Sequence, residues 1–255
     1  MSGHIRLHLE NAIAHVTLSN PSKFNAMSRA MWRELQQVFT GLQQRGELRA
    51  VVVAGESGHF CAGGDIAEYT DFRFHPEGLR EFHEGDVWGG LSALLDCDLP
   101  VIAQIEGNCM GAGVEIASAC DLRVAGQGAR FGAPIAKLGF PMAPREAELV
   151  AREVGLATAR QLLLEAAVLD APTMLARGFL HTVVPDPDVP AEVRRRALRI
   201  ARLAPQAARL NKRALRALAG GQGAESLVPT AYDYADSQEH REGIAAFLAK
   251  RPPNF

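Results

Sequence analysis

The chain predicts an α/β fold. Three observations carry that expectation: short β-branched runs alternate with amphipathic stretches, glycine-rich turns follow two of those runs, and past about Pro141 the pattern gives way to successive helices. Ile5, Leu7 and Leu9 alternate with polar residues, and Ile13–Leu18 repeats the alternation after Glu10-Asn11, which predicts two strands joined by a turn. Asn20-Pro21-Ser22-Lys23 is a loop signal. Ser28 is placed to cap a helix that carries Met31, Leu35, Val38, Phe39 and Leu42 on one face. The run 49–54 then reads as a strand buried on both faces.

A Gly-rich loop over Gly55–Gly64 follows, with Asp65 placed to cap a helical start at Ile66. Residues 71–83 are polar, aromatic and irregular, the character of a flap over a site or of a surface connection. Pro76-Glu77 opens a helix running towards Leu95. Val101, Ile102 and Ile105 mark a second buried strand, followed by small residues at Gly111–Gly113 and an Ala-rich helix holding one carboxylate, Glu115. Leu122–Ala125 and Ala129–Phe131 read as strands around a Gly126–Gly128 turn. Beyond Pro141, helices are expected over 146–154, 158–165 and 173–177, a strand over 181–184, and a proline-rich linker over 185–190. The remaining stretches 191–203, 205–219 and 228–250 read as helical.

Composition narrows the function. At 255 residues and 47% hydrophobic, the chain can bury one sizeable core with a smaller helical appendage. A net charge of −2 with both signs interspersed gives no electrostatic case for nucleic acid, and Arg194–Arg196 reads as an exposed helix face. Cys61, Cys97, Cys109 and Cys120 have no C-x-x-C spacing and sit among apolar or small residues, which suits buried thiols in a reducing compartment. Met1–Leu9 mixes His, Arg and Glu among its apolar positions, unlike a signal peptide, and no uninterrupted apolar run is long enough to span a bilayer. A cytoplasmic protein without membrane association is expected. The eight histidines form no His-Glu-x-x-His pattern, so no metal site is expected, and Gly111 and Gly113 lack the third glycine of a dinucleotide fingerprint.

The stretch Gly107–Asp121 is the functional centre of this reading. A strand, a tight turn and a helix N-terminus converge there, presenting unpaired backbone N–H groups where negative charge can be stabilised. Glu115 lies within one turn of those donors. A glutamate in an apparently buried Ala-rich helix is unusual unless it is paired or functional.

Five motifs in order carry a family resemblance: Asn20-Pro21-Ser22-Lys23-Phe24-Asn25-Ala26-Met27, Phe60-Cys61-Ala62-Gly63-Gly64-Asp65-Ile66, Gly107–Asp121, Phe131-Gly132-Ala133-Pro134 and Glu242-Gly243-Ile244-Ala245-Ala246-Phe247. Together they resemble the enoyl-CoA hydratase/isomerase (crotonase) family across nearly the whole chain. The resemblance implies a spiral core of ββα units over residues 1–190 carrying an acyl-CoA site. It also implies a C-terminal helical region over 191–255 that mediates assembly into a homotrimer or a dimer of trimers. Acyl-CoA thioesters are the implied substrates, with coenzyme A entering as part of the substrate and no tightly bound cofactor.

By motif position, the backbone N–H groups of Gly64 and Ala112 form the implied oxyanion hole, and Glu115 aligns with the first of two glutamates used by the family's hydratases. Lys23, Ala26, Ala62, Asp65 and Ile66 fall to the pantetheine and nucleotide of CoA, with Phe247 and Lys250 reaching its adenine end. Two departures stand out. Ile135 occupies the position of the hydratases' second glutamate, and Met142-Ala143-Pro144-Arg145-Glu146-Ala147-Glu148 replaces a Gly-rich turn. Glu146 and Arg145 are therefore the candidate auxiliary groups. Hydration of a 2-enoyl-CoA is the expected reaction. Isomerisation, thioester hydrolysis, decarboxylation, C–C cleavage and non-catalytic CoA binding remain open alternatives on the same scaffold.

Overall fold

The computed structural model describes residues 3–255; the first two residues of the N-terminal stretch read above lie outside the described residues. The chain opens with an antiparallel pair, β1 (His4–Glu10) and β2 (Ile13–Ser19), registered Glu10 to Ile13 around a turn in which Asn11 takes φ 54°. Helix α1 (Arg29–Gln43) follows, and the Ser28 hydroxyl accepts the Met31 N–H at 3.2 Å as its N-cap. Its buried face holds Met31, Trp32, Leu35, Phe39 and Leu42, the helical spacing expected from the sequence. Strand β3 (Ala50–Gly55) lies parallel to β2.

A single helical path then runs from α2 (Pro76–Arg80) through a π-helical turn, Glu81–Val87, into α3 (Trp88–Asp96). Next come β4 (Val101–Ile105), β5 (Asn108–Met110), α4 (Ala112–Ala119), β6 (Leu122–Gly126) and β7 (Arg130–Gly132). The second half holds α5 (Pro144–Val154), α6 (Leu156–Leu164), β8 (Val168–Asp170), α7 (Ala171–Ala176), β9 (Thr182–Val184), α8 (Val189–Ala201), α9 (Pro205–Ala219) and α10 (Gln238–Leu248).

Among the described residues the main sheet has the order β1-β2-β3-β4-β6-β9, parallel except for the β1–β2 pair, and a smaller sheet has the order β5-β7-β8. Period-2 alternation divides each central strand between two apolar layers. Val51 and Val53 of β3 with Val101, Ala103 and Ile105 of β4 face the layer formed by α1, α3 and α4. Val52 and Ile102 face the opposite side, where Val189, Val193 and Ala197 of α8 cover them. α8 supplies this second layer. Pro190 sits in its first turn, where the missing N–H costs no helical hydrogen bond.

Three sequence expectations need correction. The stretch 228–250 is not one helix: two 3₁₀ turns, Ala224–Ser226 and Val228–Thr230, precede α10, which Ser237 caps through the His240 N–H. Pro229 and the turn-forming 230–237 segment break the helical register. The 185–190 linker contains a 3₁₀ turn at Asp186–Asp188. Strands β5 and β8 are additional. At three residues each they are too short for alternation to reveal, and both exist by pairing with β7.

Candidate active site

Two glycine turns are stitched together by backbone pairing. Cys61 bridges Cys109 in parallel, with the Met110 N–H donating to Cys61 O at 2.8 Å. On its other edge the same segment pairs with Met27, whose N–H donates to Gly63 O at 2.8 Å while the Asp65 N–H donates to Met27 O at 2.8 Å. Those two bonds belong to the residues flanking Gly64, so the Gly64 N–H points away from Met27. Across from it, Gly111 at φ 47° turns the chain from β5 into α4. Ala112 is the first residue of that helix, and its N–H is one of the orphan donors of a helix start.

Close approach holds these donors together. A Cβ added at Gly113 would lie 2.7 Å from Cys61 O, so only glycine lets α4 pack this tightly on the 61–64 segment. Buried Arg123 secures the far end of α4, donating to Ala117 O at 3.0 Å, Cys120 O at 2.7 Å and Phe179 O at 2.7 Å, and pairing with Glu153 at 3.1 Å.

A cavity of about 300 Å³ opens in front of the two turns. Ala62, Gly64, Ile66, Ala112 and Glu115 line it together with Ile135 and Glu146. Glu115 is 7% exposed, and burial, reinforced by the nearby Glu146 carboxylate, pushes its carboxyl well above the usual range. Glu146, on the first turn of α5, is 3% exposed, with Oε1 2.8 Å from His83 Nδ1. With its proton on Nδ1, His83 donates to that carboxylate and fixes its orientation. His83 is carried on the π-helical turn between α2 and α3, which also brings Phe82 and Val87 to the cavity.

Tyr69 packs its hydroxyl against Gly64, where a Cβ would meet it at 2.0 Å, and burial pushes that phenol up to about 12. Rings of Tyr69, Phe72, Phe82 and Phe140 cluster at 4.7–6.0 Å between centroids and close one wall.

The other sequence candidates fall in three places. Lys23 grips Asp65 at 2.6 and 2.8 Å, and Asp65 also accepts the Ala67 N–H at 3.3 Å as N-cap of a 3₁₀ turn, Ile66–Asp71, at the cavity rim. Ala26 is buried beside them, its carbonyl accepting from Asn20 Nδ2 at 2.9 Å. Arg145 is outside the cavity: it pairs with Glu84 at 2.9 Å and stacks over Trp88, because consecutive residues on α5 point to different sides. Phe247, on α10, is 82% exposed, and neither it nor Lys250 lines the cavity of its own chain. His83 and Arg73 are cavity residues given no individual role in the sequence, where the irregular, aromatic composition of 71–83 was the available signal; Tyr69, on the preceding 3₁₀ turn, had none.

Backbone donors beside a cavity, with a buried acid one turn away, are an arrangement that can stabilise negative charge developing on a carbonyl oxygen. The enoyl-CoA hydratase/isomerase family profile matches residues 8–255, and the chain belongs to that family. A probable enoyl-CoA hydratase of Rhodobacter capsulatus is 33% identical, the match covering 100% of this chain and 99% of that one. The short-chain-enoyl-CoA hydratase of Clostridium acetobutylicum is 30% identical over 96% of this chain and 94% of its own length. Among solved structures, an enoyl-CoA hydratase/carnithine racemase from Magnetospirillum magneticum superposes with a TM-score of 0.95 at 35% identity, covering 98% of this chain and 94% of that chain. The fold is therefore that of crotonase-type proteins. No described helix is long and apolar enough to cross a membrane.

Proposed function

We propose that the protein hydrates a short 2-enoyl-CoA thioester, using Glu115 and Glu146 as its acid–base pair, with Glu146 in place of the hydratases' second glutamate. The observation that carries this reading is the convergence of both buried carboxylates on one cavity, with Ile135 filling the position of the missing acid. In the proposed step the thioester oxygen takes the Gly64 and Ala112 N–H groups, and each such donor is worth roughly 3 kcal/mol in other enzymes. Glu146, held by His83, accepts a proton from the water that attacks the β-carbon. Glu115, whose environment favours its protonated form, delivers a proton to the α-carbon. Proton exchange between the two carboxylates through solvent resets the site.

CoA enters as part of the substrate, with Lys23, Ala26, Ala62, Asp65 and Ile66 along its path. The exposed apolar residues Leu215, Ile244, Phe247 and Leu248 support assembly as a homotrimer or a dimer of trimers, where Phe247 and Lys250 would meet a neighbour's nucleotide. Four free, buried cysteines suit the cytoplasm.

Ile135 also favours a second reading. An isomerase needs one carboxylate to carry a proton between the second and fourth carbons, and Glu115 facing an apolar wall suffices for that. Two substrates separate the readings. Loss of the conjugated-enoyl absorbance of crotonyl-CoA supports hydration. Appearance of that absorbance from a 3-enoyl-CoA, with crotonyl-CoA untouched, would replace hydration by isomerisation.

A further inference from the structure

Among the described residues, Arg73 is the charged group lining the cavity that neither reading employs. Its guanidinium lies between two aromatic faces, 4.4 Å from the Tyr69 ring centroid and 3.6 Å from that of Phe140. Stacked in this way it cannot swing freely to solvent. Its Nη1 is buried with no hydrogen-bond partner among the described residues. The carboxylate that could have satisfied it, Glu146, is instead held by His83 at 2.8 Å. A buried guanidinium N–H left open is costly unless something completes it, and Arg73 is one of the residues lining the cavity.

Position decides which part of a substrate would meet it. Tyr69 spans the gap, its hydroxyl end against Gly64 at the oxyanion hole and its ring under Arg73. Arg73 therefore stands about one phenol length from the proposed thioester carbonyl position, within the same cavity. An acyl group of four or five carbons covers that interval. A planar, stacked guanidinium matches a carboxylate by geometry and charge, and it repels a cationic terminus.

The geometry points to an acyl-CoA whose short acyl chain ends in a carboxylate, the monothioester of a dicarboxylic acid, with Arg73 as the specificity-determining residue. This inference rests on the proposed acyl-CoA function but not on which reaction follows. A hydrogen bond to a charged group is worth about 1.5–3 kcal/mol, so the preference over a methyl-ended chain of equal length should be about 10- to 100-fold.

The test is equilibrium binding, which separates substrate class from chemistry. Saturated five-carbon acyl-CoA thioesters ending in methyl, carboxylate or trimethylammonium are titrated by calorimetry against the full-length protein and against Arg73→Met. The carboxylate-ended thioester is expected to bind wild type about 10- to 100-fold more tightly than the methyl-ended one and the cationic one weakest, with the carboxylate preference lost in Arg73→Met. Equal affinity of wild type for the methyl and carboxylate ends overturns the inference and leaves the acyl-CoA function standing. The same holds for tightest binding of the cationic end. Failure of all three to bind overturns both. The wild-type ratio alone is decisive, so the test survives a misfolded variant.

Discussion

Replacing Glu146 by Gln keeps the side chain's size and its reach to His83 while removing its capacity to take a proton. General acid–base catalysis contributes about 10²- to 10⁴-fold, so kcat/KM for 2-enoyl-CoA hydration should fall by that factor, a loss of about 3–5 kcal/mol of transition-state stabilisation. A second consequence comes from the coupling of the two acids. Burial is the larger cause holding the Glu115 carboxyl up and the Glu146 charge the smaller, so Glu146→Gln should lower the Glu115 value without restoring it to normal. Glu115 donates a proton in the proposed step, and activity falls as pH rises through its value. The alkaline limb of the kcat/KM profile should therefore move to lower pH in Glu146→Gln. Stopped-flow absorbance of the conjugated enoyl group across a pH series reads both effects. Full activity with an unmoved alkaline limb would refute the two-carboxylate mechanism.

Three further outcomes follow from the same structure. Glu115→Gln should abolish hydration yet stabilise the fold above about pH 4.5: a carboxyl raised in the folded state contributes stability below its unfolded value and loses it as pH rises through the folded one. Thermal melts should show a Tm gain over wild type that grows with pH and vanishes in acid. Gly113→Ala should force α4 off the 2.7 Å approach to Cys61 O, costing about 1–3 kcal/mol in denaturant unfolding and lowering kcat more than it raises KM as the Ala112 donor shifts. Asp98, 2% exposed, accepts from Arg213 at 2.7 Å, Arg216 at 3.2 Å and Gln43 at 2.9 Å, and these partners outweigh burial to hold its carboxyl low. Asp98→Asn should cost about 2–4 kcal/mol at neutral pH, less as pH falls through the folded Asp98 value, and should speed hydrogen exchange of α9.

Local pattern and tertiary pairing account for different parts of the molecule. Residues in α1 show their helix in sequence because Met31, Leu35, Phe39 and Leu42 repeat at helical spacing behind a serine cap. Strands β3 and β4 show theirs because β-branched runs buried on both faces have few other solutions. Motif order was enough to place Glu115, Gly64 and Ala112 together, since the two glycine turns define their own backbone geometry.

Other parts had no local signature. The choice between Arg145 and Glu146 turns on one hundred degrees of helix rotation on α5, and only packing shows which one enters the cavity. The pairing of His83 with Glu146 joins residues 63 positions apart, through a π-helical turn that no propensity announces. Arg73 reads as one more charge in an irregular loop until Tyr69 and Phe140 close on both its faces. By itself the sequence determined the α/β fold and the two glycine turns that carry Gly64, Ala112 and Glu115, because both are written in short-range spacing and backbone conformation. Tertiary structure alone decided which side chains share the cavity with Glu115, because that depends on contacts between segments distant in the chain.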